Sequence, residues 1–228
     1  LRMRIPVDFH AGEEKYPIGW PRMYLALATN EQAWAAYDRL EFRLFTESSR
    51  TGLPKHPLTF HLYDAQGQKK LVPLDLAAVG ADRAVSLNLS DLGLTDPLVR
   101  LGFNINEADY ADKDLVDFHL GAFRLARATA ARVTELKAAA PALFGDSRVL
   151  PVELVVEGPP DKLAAGVPFQ LRSGDRVVLA KTLPVLRGRQ TLFLPLEGAA
   201  LTPGSYMLAV CPDDPAARRE PPVLITPS

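Results

Sequence analysis

Side chains able to hydrogen-bond a ligand recur at every second position in four stretches of this 228-residue chain. In "DRLEFRLFTE", Glu41, Arg43 and Phe45 alternate with Leu40, Phe42 and Leu44; in "LTFHLYDA", Thr59, His61 and Tyr63 alternate with Leu58, Phe60 and Leu62. Arg100, Asn104 and Asn106 oppose Phe103, and Asp117 and His119 oppose Phe118. Successive side chains of a strand point to opposite faces, so an apolar core on one side leaves these residues together on the other. Guanidinium forks and amides suit hydroxyl groups, and flat rings suit the apolar faces of a pyranose. That chemistry is sugar recognition. The candidate ligand-binding residues are Arg43, His61, Arg100, Asn104 and His119, with Trp20 as a stacking ring. Arg43, His61, Asn104 and His119 are expected on one side of a sandwich, although parity does not say which strands share a sheet. The solvated side of any antiparallel sheet has the same pattern, and parity by itself favours that plainer account.

Other constellations point less far. The acidic stretch "NEADYADKDLVD" offers Glu107, Asp109, Asp112, Asp114 and Asp117. Calcium takes six to eight oxygens, but the spacing is not that of an EF-hand loop and no glycine supplies its turn. A solvated turn with Tyr110 packed at its tip is the expectation. Tyr16, Trp20 and Tyr24 lie in "EEKYPIGWPRMY". Tryptophan is mostly buried in folded proteins, so packing at the end of a sandwich is expected for Trp20. Trp34 and Tyr37 pose the same choice.

No catalytic motif is present. Glu41, Asp117 and the strand histidines do not make the two-carboxyl arrangement that glycoside hydrolysis needs. There is no Gly-x-Ser-x-Gly elbow, phosphate-binding glycine loop or His-Glu-x-x-His motif. His10, His56, His61 and His119 lack metal-ligand spacing. Neither an enzymatic role nor a cofactor is expected. The single cysteine, Cys211, excludes an internal disulfide and reads as a small buried hydrophobe at a strand end.

Short strands must position these residues. Hydrophobic content is 47%, charged content 23% and formal net charge −1. Such values suit a globular chain, supply no overall field to recruit nucleic acid, and include no apolar run of membrane-spanning length. Period-two patterning dominates residues 1–127. It predicts a core of Leu40, Phe42, Leu44, Leu58, Phe60, Leu62, Val85, Leu87, Leu89, Leu101, Phe103, Ile105, Val116, Phe118 and Leu120. "NEQAWAAYDRL", with Asn30 as N-cap, predicts a helical turn or two. The alanine-rich segment "RATAARVTELKAAAPALFGD" loses the alternation and predicts a short helix or linker over 128–146, open to proteolysis. Residues 147–228 resume the strand pattern, with Gly174 and Asp175 at a hairpin turn. Thirteen of twenty prolines fall from Pro141 onward, which suits short strands and loops. The fold class is all-β: two β-sandwich domains, 1–127 and 147–228, around that linker. Opening at Leu1 without an initiator methionine, the chain reads as a piece of a longer protein.

The succession "YDRLEFRLFTESS", "PLTFHLYDAQG", "AVSLNLSDLG" and "LVRLGFNINEADYADKDLVDFHLGAFRLAR" resembles the galactose-binding-like jelly rolls, which include many carbohydrate-binding modules. The likeness spans nearly all of residues 1–127. The second domain is similar to the immunoglobulin-like modules that accompany such jelly rolls in large secreted bacterial polysaccharide-processing proteins. The resemblance implies a non-catalytic accessory region that binds a glycan, secreted or periplasmic, beside neighbouring domains of one polypeptide. The competing expectation is a purely structural or protein-interaction pair of sandwiches. One departure matters: Gly121 and Ala122 stand in "HLGAF", where the family often has acidic residues. Gly121 has no side chain to ligate a cation, which disfavours the family's structural calcium at that place.

Overall fold

Alternation of apolar side chains produces strands throughout, and the strands gather into two compact units, Leu1–Ala126 and Arg127–Ser228. The computed structural model describes residues 1–10, 19–94, 96–140, 142–199, 201–211 and 221–227.

Unit 1 contains β1 (Arg2–Pro6), β2 (Arg22–Ala26), β3 (Arg39–Ser48), β4 (Thr59–Asp64), β5 (Lys69–Pro73), β6 (Asp82–Asn88), β7 (Leu98–Asn104) and β8 (Leu115–Ala126). They form two four-stranded sheets, ordered β1-β8-β3-β6 and β2-β7-β4-β5, with every pairing antiparallel. Phe42 of the first sheet meets Phe60 and Phe103 of the second at ring-centroid distances of 6.1 and 5.9 Å. Leu44, Leu58, Leu62, Val116 and Phe118 complete the centre of this core and are fully or almost fully buried. Of the expected core residues only Leu87 and Leu89 are partly rather than fully buried. In β8 the alternation changes phase. Arg43 pairs with Gly121 but Glu41 pairs with Arg124, and Ala122 takes a φ of 52° in the bulge between them. The bulge lets both Leu120 and Phe123 face the core, where Phe123 stacks on Phe42 at 5.0 Å.

The helical stretch expected at "NEQAWAAYDRL" shrinks to one 3-10 turn, Thr29–Glu31. Its cap is Ala28, not Asn30: the Glu31 carboxylate accepts the Ala28 N–H at 2.9 Å. Trp34 is buried, and its indole N–H donates to the Glu31 carbonyl at 2.6 Å. Packing of that ring outweighs helix propensity in the residues around it.

Unit 2 contains β9 (Arg132–Ala138), β10 (Ala142–Phe144), β11 (Val149–Glu157), α1 (Pro160–Ala165), β12 (Val167–Ser173), β13 (Arg176–Leu183), β14 (Gly188–Pro195), β15 (Gly204–Val210) and β16 (Pro222–Thr226). One sheet has the order β14-β11-β9, the other β10-β16-β15-β12-β13, with β10 and β16 parallel. The hairpin turn falls at Gly174 and Asp175, where Gly174 has a φ of 57°. Cys211, at the end of β15, is buried. Tyr206 is buried in the core, and its hydroxyl donates to the Thr202 carbonyl at 2.9 Å.

The expected helix or linker at 128–146 is therefore corrected, since β9 and β10 both lie inside it and pair with strands of unit 2. The physical reason is another bulge. Val156 pairs with Val133, but Val155 pairs with Glu135. Val133 and Leu136, three residues apart, can then both pack on the core, which breaks the period of two.

Two outcomes follow from this packing. Phe60→Ala removes a ring with no solvent exposure and should cost about 3–5 kcal/mol of stability in urea unfolding. A fragment beginning at residue 147 lacks β9 and β10, so by thermal unfolding it should be markedly less stable than one beginning at Arg127.

Candidate functional site

Strand register turns the outer face of the second sheet of unit 1 into a grid. Its three rows are Arg22–Asn104–Thr59–Pro73, Tyr24–Gly102–His61–Leu71 and Ala26–Arg100–Tyr63–Lys69. Phe103, Phe60 and Leu62 point the other way into the core, so alternation forces these side chains outward.

Gly102 lies at the centre. A Cβ placed there would lie 2.3 Å from Cδ1 of Tyr24 and 2.7 Å from the Met23 carbonyl oxygen. The Tyr24 ring thus occupies the space a side chain at 102 would need. The guanidinium of Arg100 stacks over the rings of both Tyr24 and Tyr63, 4.5 and 4.1 Å from their centroids. The two tyrosine rings meet edge to face at 5.9 Å. Arg100 itself remains exposed, so its fork is positioned by rings and accessible to solvent.

A polar relay runs beside this stack. The His61 Nε2–H donates to Oδ1 of Asn104, which in turn donates from Nδ2 to the Ile105 carbonyl at 3.2 Å. Nδ1 of the same neutral ring is then left to accept from the Tyr63 hydroxyl at 3.3 Å. Burial lowers the His61 pKa, opposed by the bond to Asn104 and aided by the positive charges of Lys69, Arg22 and Arg100. Asn104 is 6% exposed, so it orients His61 rather than presenting its amide broadly to solvent. Trp20 lies two residues before Arg22 and is 51% exposed, which corrects the expectation of packing. Arg22 donates from Nε to its carbonyl at 3.3 Å. Tyr16 lies outside the described residues.

The six sequence-predicted residues therefore divide. His61, Arg100 and Asn104 share one face, with Trp20 leading into its edge strand. Arg43 and His119 lie on the first sheet, whose outer face turns away from the second. Their expected convergence with His61 and Asn104 is corrected, because β3 and β8 belong to a different sheet from β4 and β7. Arg43 is bound instead to Asp82, with Nε at 3.0 Å from Oδ1, and His119 Nε2 lies 3.0 Å from Glu47. The β8 bulge opens a groove of about 390 Å³ on that face, between Arg39, Glu41, Arg43, Ser86 and Arg124. Its charges are engaged with one another: Arg124 donates to Glu41 at 2.6 Å, and Arg39 lies 3.4 Å from the same carboxyl group.

Sequence reasoning left Arg22, Tyr24, Tyr63, Lys69 and Gly102 out of the candidate set. The signal available was the glycine interrupting the polar positions of "RLGFN", since glycine inside a strand marks a close approach.

The acidic loop is largely used within the fold. Tyr110 is partly buried against the core and donates to the Pro57 carbonyl at 2.5 Å. Asp114 is held by Arg50 and accepts from the Ala111 N–H at 3.0 Å, while Arg2 engages both oxygens of Asp117. Among the described residues, Asp8–His10–Asp112 and Glu47–Asp117–His119 bring potential metal-ligand atoms within 4.8 Å of one another.

No family model and no curated protein matches the chain. Solved structures that the chain matches include a β-1,2-glucanase from Parabacteroides distasonis, at 16% identity and a TM-score of 0.35, covering 92% of this chain and 31% of that one. A β-glucuronidase from Ruminococcus gnavus gives 11% and 0.31, covering 96% and 38%. The adhesin domain of Epf from Streptococcus pyogenes gives 9% and 0.29, covering 100% and 77%. The chain thus spans about a third of the two glycosidases, and TM-scores at this level carry no argument about what it does.

The lowered His61 pKa fixes a pH dependence. The unfolded ring titrates near 6.5 and the folded ring below it, so this contribution to stability is complete above about 6.5. It is lost as pH falls through the folded value. NMR titration of the His61 ring should give a midpoint below that of free histidine, and His61→Gln should flatten the stability loss over that interval.

Proposed function

We propose that this chain is a non-catalytic accessory region whose first unit binds a glycan on the outer face of β2, β7, β4 and β5. The observation that carries the reading is the Tyr24–Arg100–Tyr63 stack beside His61 and Asn104. Rings for a pyranose face and an oriented fork for hydroxyls lie within adjacent rows of one sheet. The strand orders β1-β8-β3-β6 and β2-β7-β4-β5 support reading unit 1 as a jelly roll, two interleaved antiparallel sheets of eight strands. The three- and five-stranded sheets of unit 2 support an immunoglobulin-like reading.

Unit 2 acts in this proposal as a spacer. Its outer row pairs Val149 with Pro195 and Pro151 with Phe193, and exposes Val149 and Phe193. Such a row favours contact with a neighbouring domain over sugar recognition. The parent polypeptide is proposed to be secreted, with any catalytic centre in another domain. Among the described residues no helix is long and apolar enough to cross a membrane.

Affinity electrophoresis against a polysaccharide panel tests the proposal. The folded protein should be retarded by at least one polysaccharide, and Tyr63→Ala should weaken that retention about tenfold or more, since stacking on one ring is worth roughly 1–2 kcal/mol. Retention by none, with circular dichroism showing the folded β signature, would leave the structural reading of both units.

A further inference from the structure

Charge on the two outer faces of unit 1 is arranged differently. On the first sheet most cations meet carboxylates: Arg2 with Asp117, Arg43 with Asp82, and Arg124 and Arg39 with Glu41, so that the five outward arginines, Arg4 included, stand among Asp82, Glu41, Glu47 and Asp117. The twelve-position grid on the second sheet holds Arg22, Arg100 and Lys69 and no carboxylate. None of these three cations has a carboxylate partner among the described residues; Arg22 bonds a carbonyl and Arg100 bonds rings. Glu107, in the loop that follows β7, is buried, and its carboxylate packs against Gly19. The chain carries a formal net charge of −1, so a local excess of three positive charges is not a consequence of composition. The same three charges help keep His61 neutral.

We infer that the glycan recognised on this face is an acidic polysaccharide, with carboxylate- or sulfate-bearing sugars repeated along the chain. The inference rests on the glycan reading above. Arg100 and Lys69 are separated by two strand spacings, about 10 Å, and Arg22 lies four residues along the sheet from Arg100, about 14 Å. One small anion cannot span all three. A polymer with an anionic group on successive sugars meets them in turn, while Tyr24 and Tyr63 cover the apolar ring faces. Exposed cations on a solvated face also predict binding that weakens with salt, because such charges are screened within about 10 Å at 0.1 M.

The probes are galacturonan, the same polymer after chemical reduction of its carboxyl groups, dextran sulfate and single-stranded DNA. The proteins are the wild type, Lys69→Glu and Arg83→Glu, each checked for its thermal transition. Arg83 is exposed, lies outside the grid on β6, and its substitution changes net charge by the same amount. Galacturonan or dextran sulfate should be retained, with the reduced polymer at least tenfold weaker, and with retention falling steeply between 50 and 300 mM salt, a range set by roughly the screening scale above. Lys69→Glu should lower retention tenfold or more, and Arg83→Glu by less than twofold. Which acidic polymer is retained distinguishes carboxylate from sulfate recognition. Equal retention of the reduced polymer would overturn the acidic assignment and leave glycan binding standing, as would equal effects of the two substitutions. DNA retained as strongly as the acidic glycans would overturn it as nonspecific polyanion binding. Retention of nothing by the folded protein would remove the glycan reading itself.

Discussion

Phe42 reaches from one sheet to Phe60 and Phe103 of the other, and those contacts set the direction of the side chains in unit 1. Once Phe60 and Phe103 point inward, His61 and Tyr63 on β4 and Arg100 and Asn104 on β7 must point outward. A slip of one residue in either strand would send the guanidinium and imidazole into the core and the rings into water. Apolar burial on one face therefore holds the polar groups of the other face in register, and the candidate site is the reverse side of the core.

Within that frame a missing side chain shapes the surface. Gly102 leaves room for the Tyr24 ring to lie across β7, which brings Tyr24 toward Arg100 and Tyr63. Arginine so stacked keeps a charge that rings do not neutralise. The opposite sheet shows the alternative outcome: most of its arginines lie beside Asp82, Glu41 or Asp117, so its outer face is largely compensated. The same residue types produce two different surfaces because register, not composition, chooses their neighbours.

Bulges set the remaining geometry. In β8 the residue pair around Ala122 changes the phase so that Leu120 and Phe123 both pack inward, and the strand bends to open the groove beside Arg39 and Arg124. In β9 a bulge does the same for Val133 and Leu136. A segment read by alternation alone looks irregular at each such place, although its backbone is paired.

Local alternation was sufficient to determine the all-β class, the inward set from Leu40 to Leu120, the Gly174–Asp175 hairpin and the outward direction of Arg43, His61, Arg100, Asn104 and His119. These properties depend on the period of two and, for the hairpin, on a glycine suited to a positive φ, both of which neighbours along the chain establish. Tertiary structure decided the rest. Which strands share a sheet depends on pairings such as β3 with β8 and β4 with β7, between residues far apart in sequence such as Phe45 with His119 and Tyr63 with Arg100, and it divided the predicted set between two faces. It drew β9, within the alanine-rich segment, into a sheet against the helix propensity of that segment, because the ladder with β11 and burial of Val133 outweigh a local preference worth a few tenths of a kcal/mol per residue, roughly. It also joined Arg22, Tyr24, Tyr63 and Lys69 to Arg100, since adjacency across strands is written in register and not in the spacing of residues along one strand.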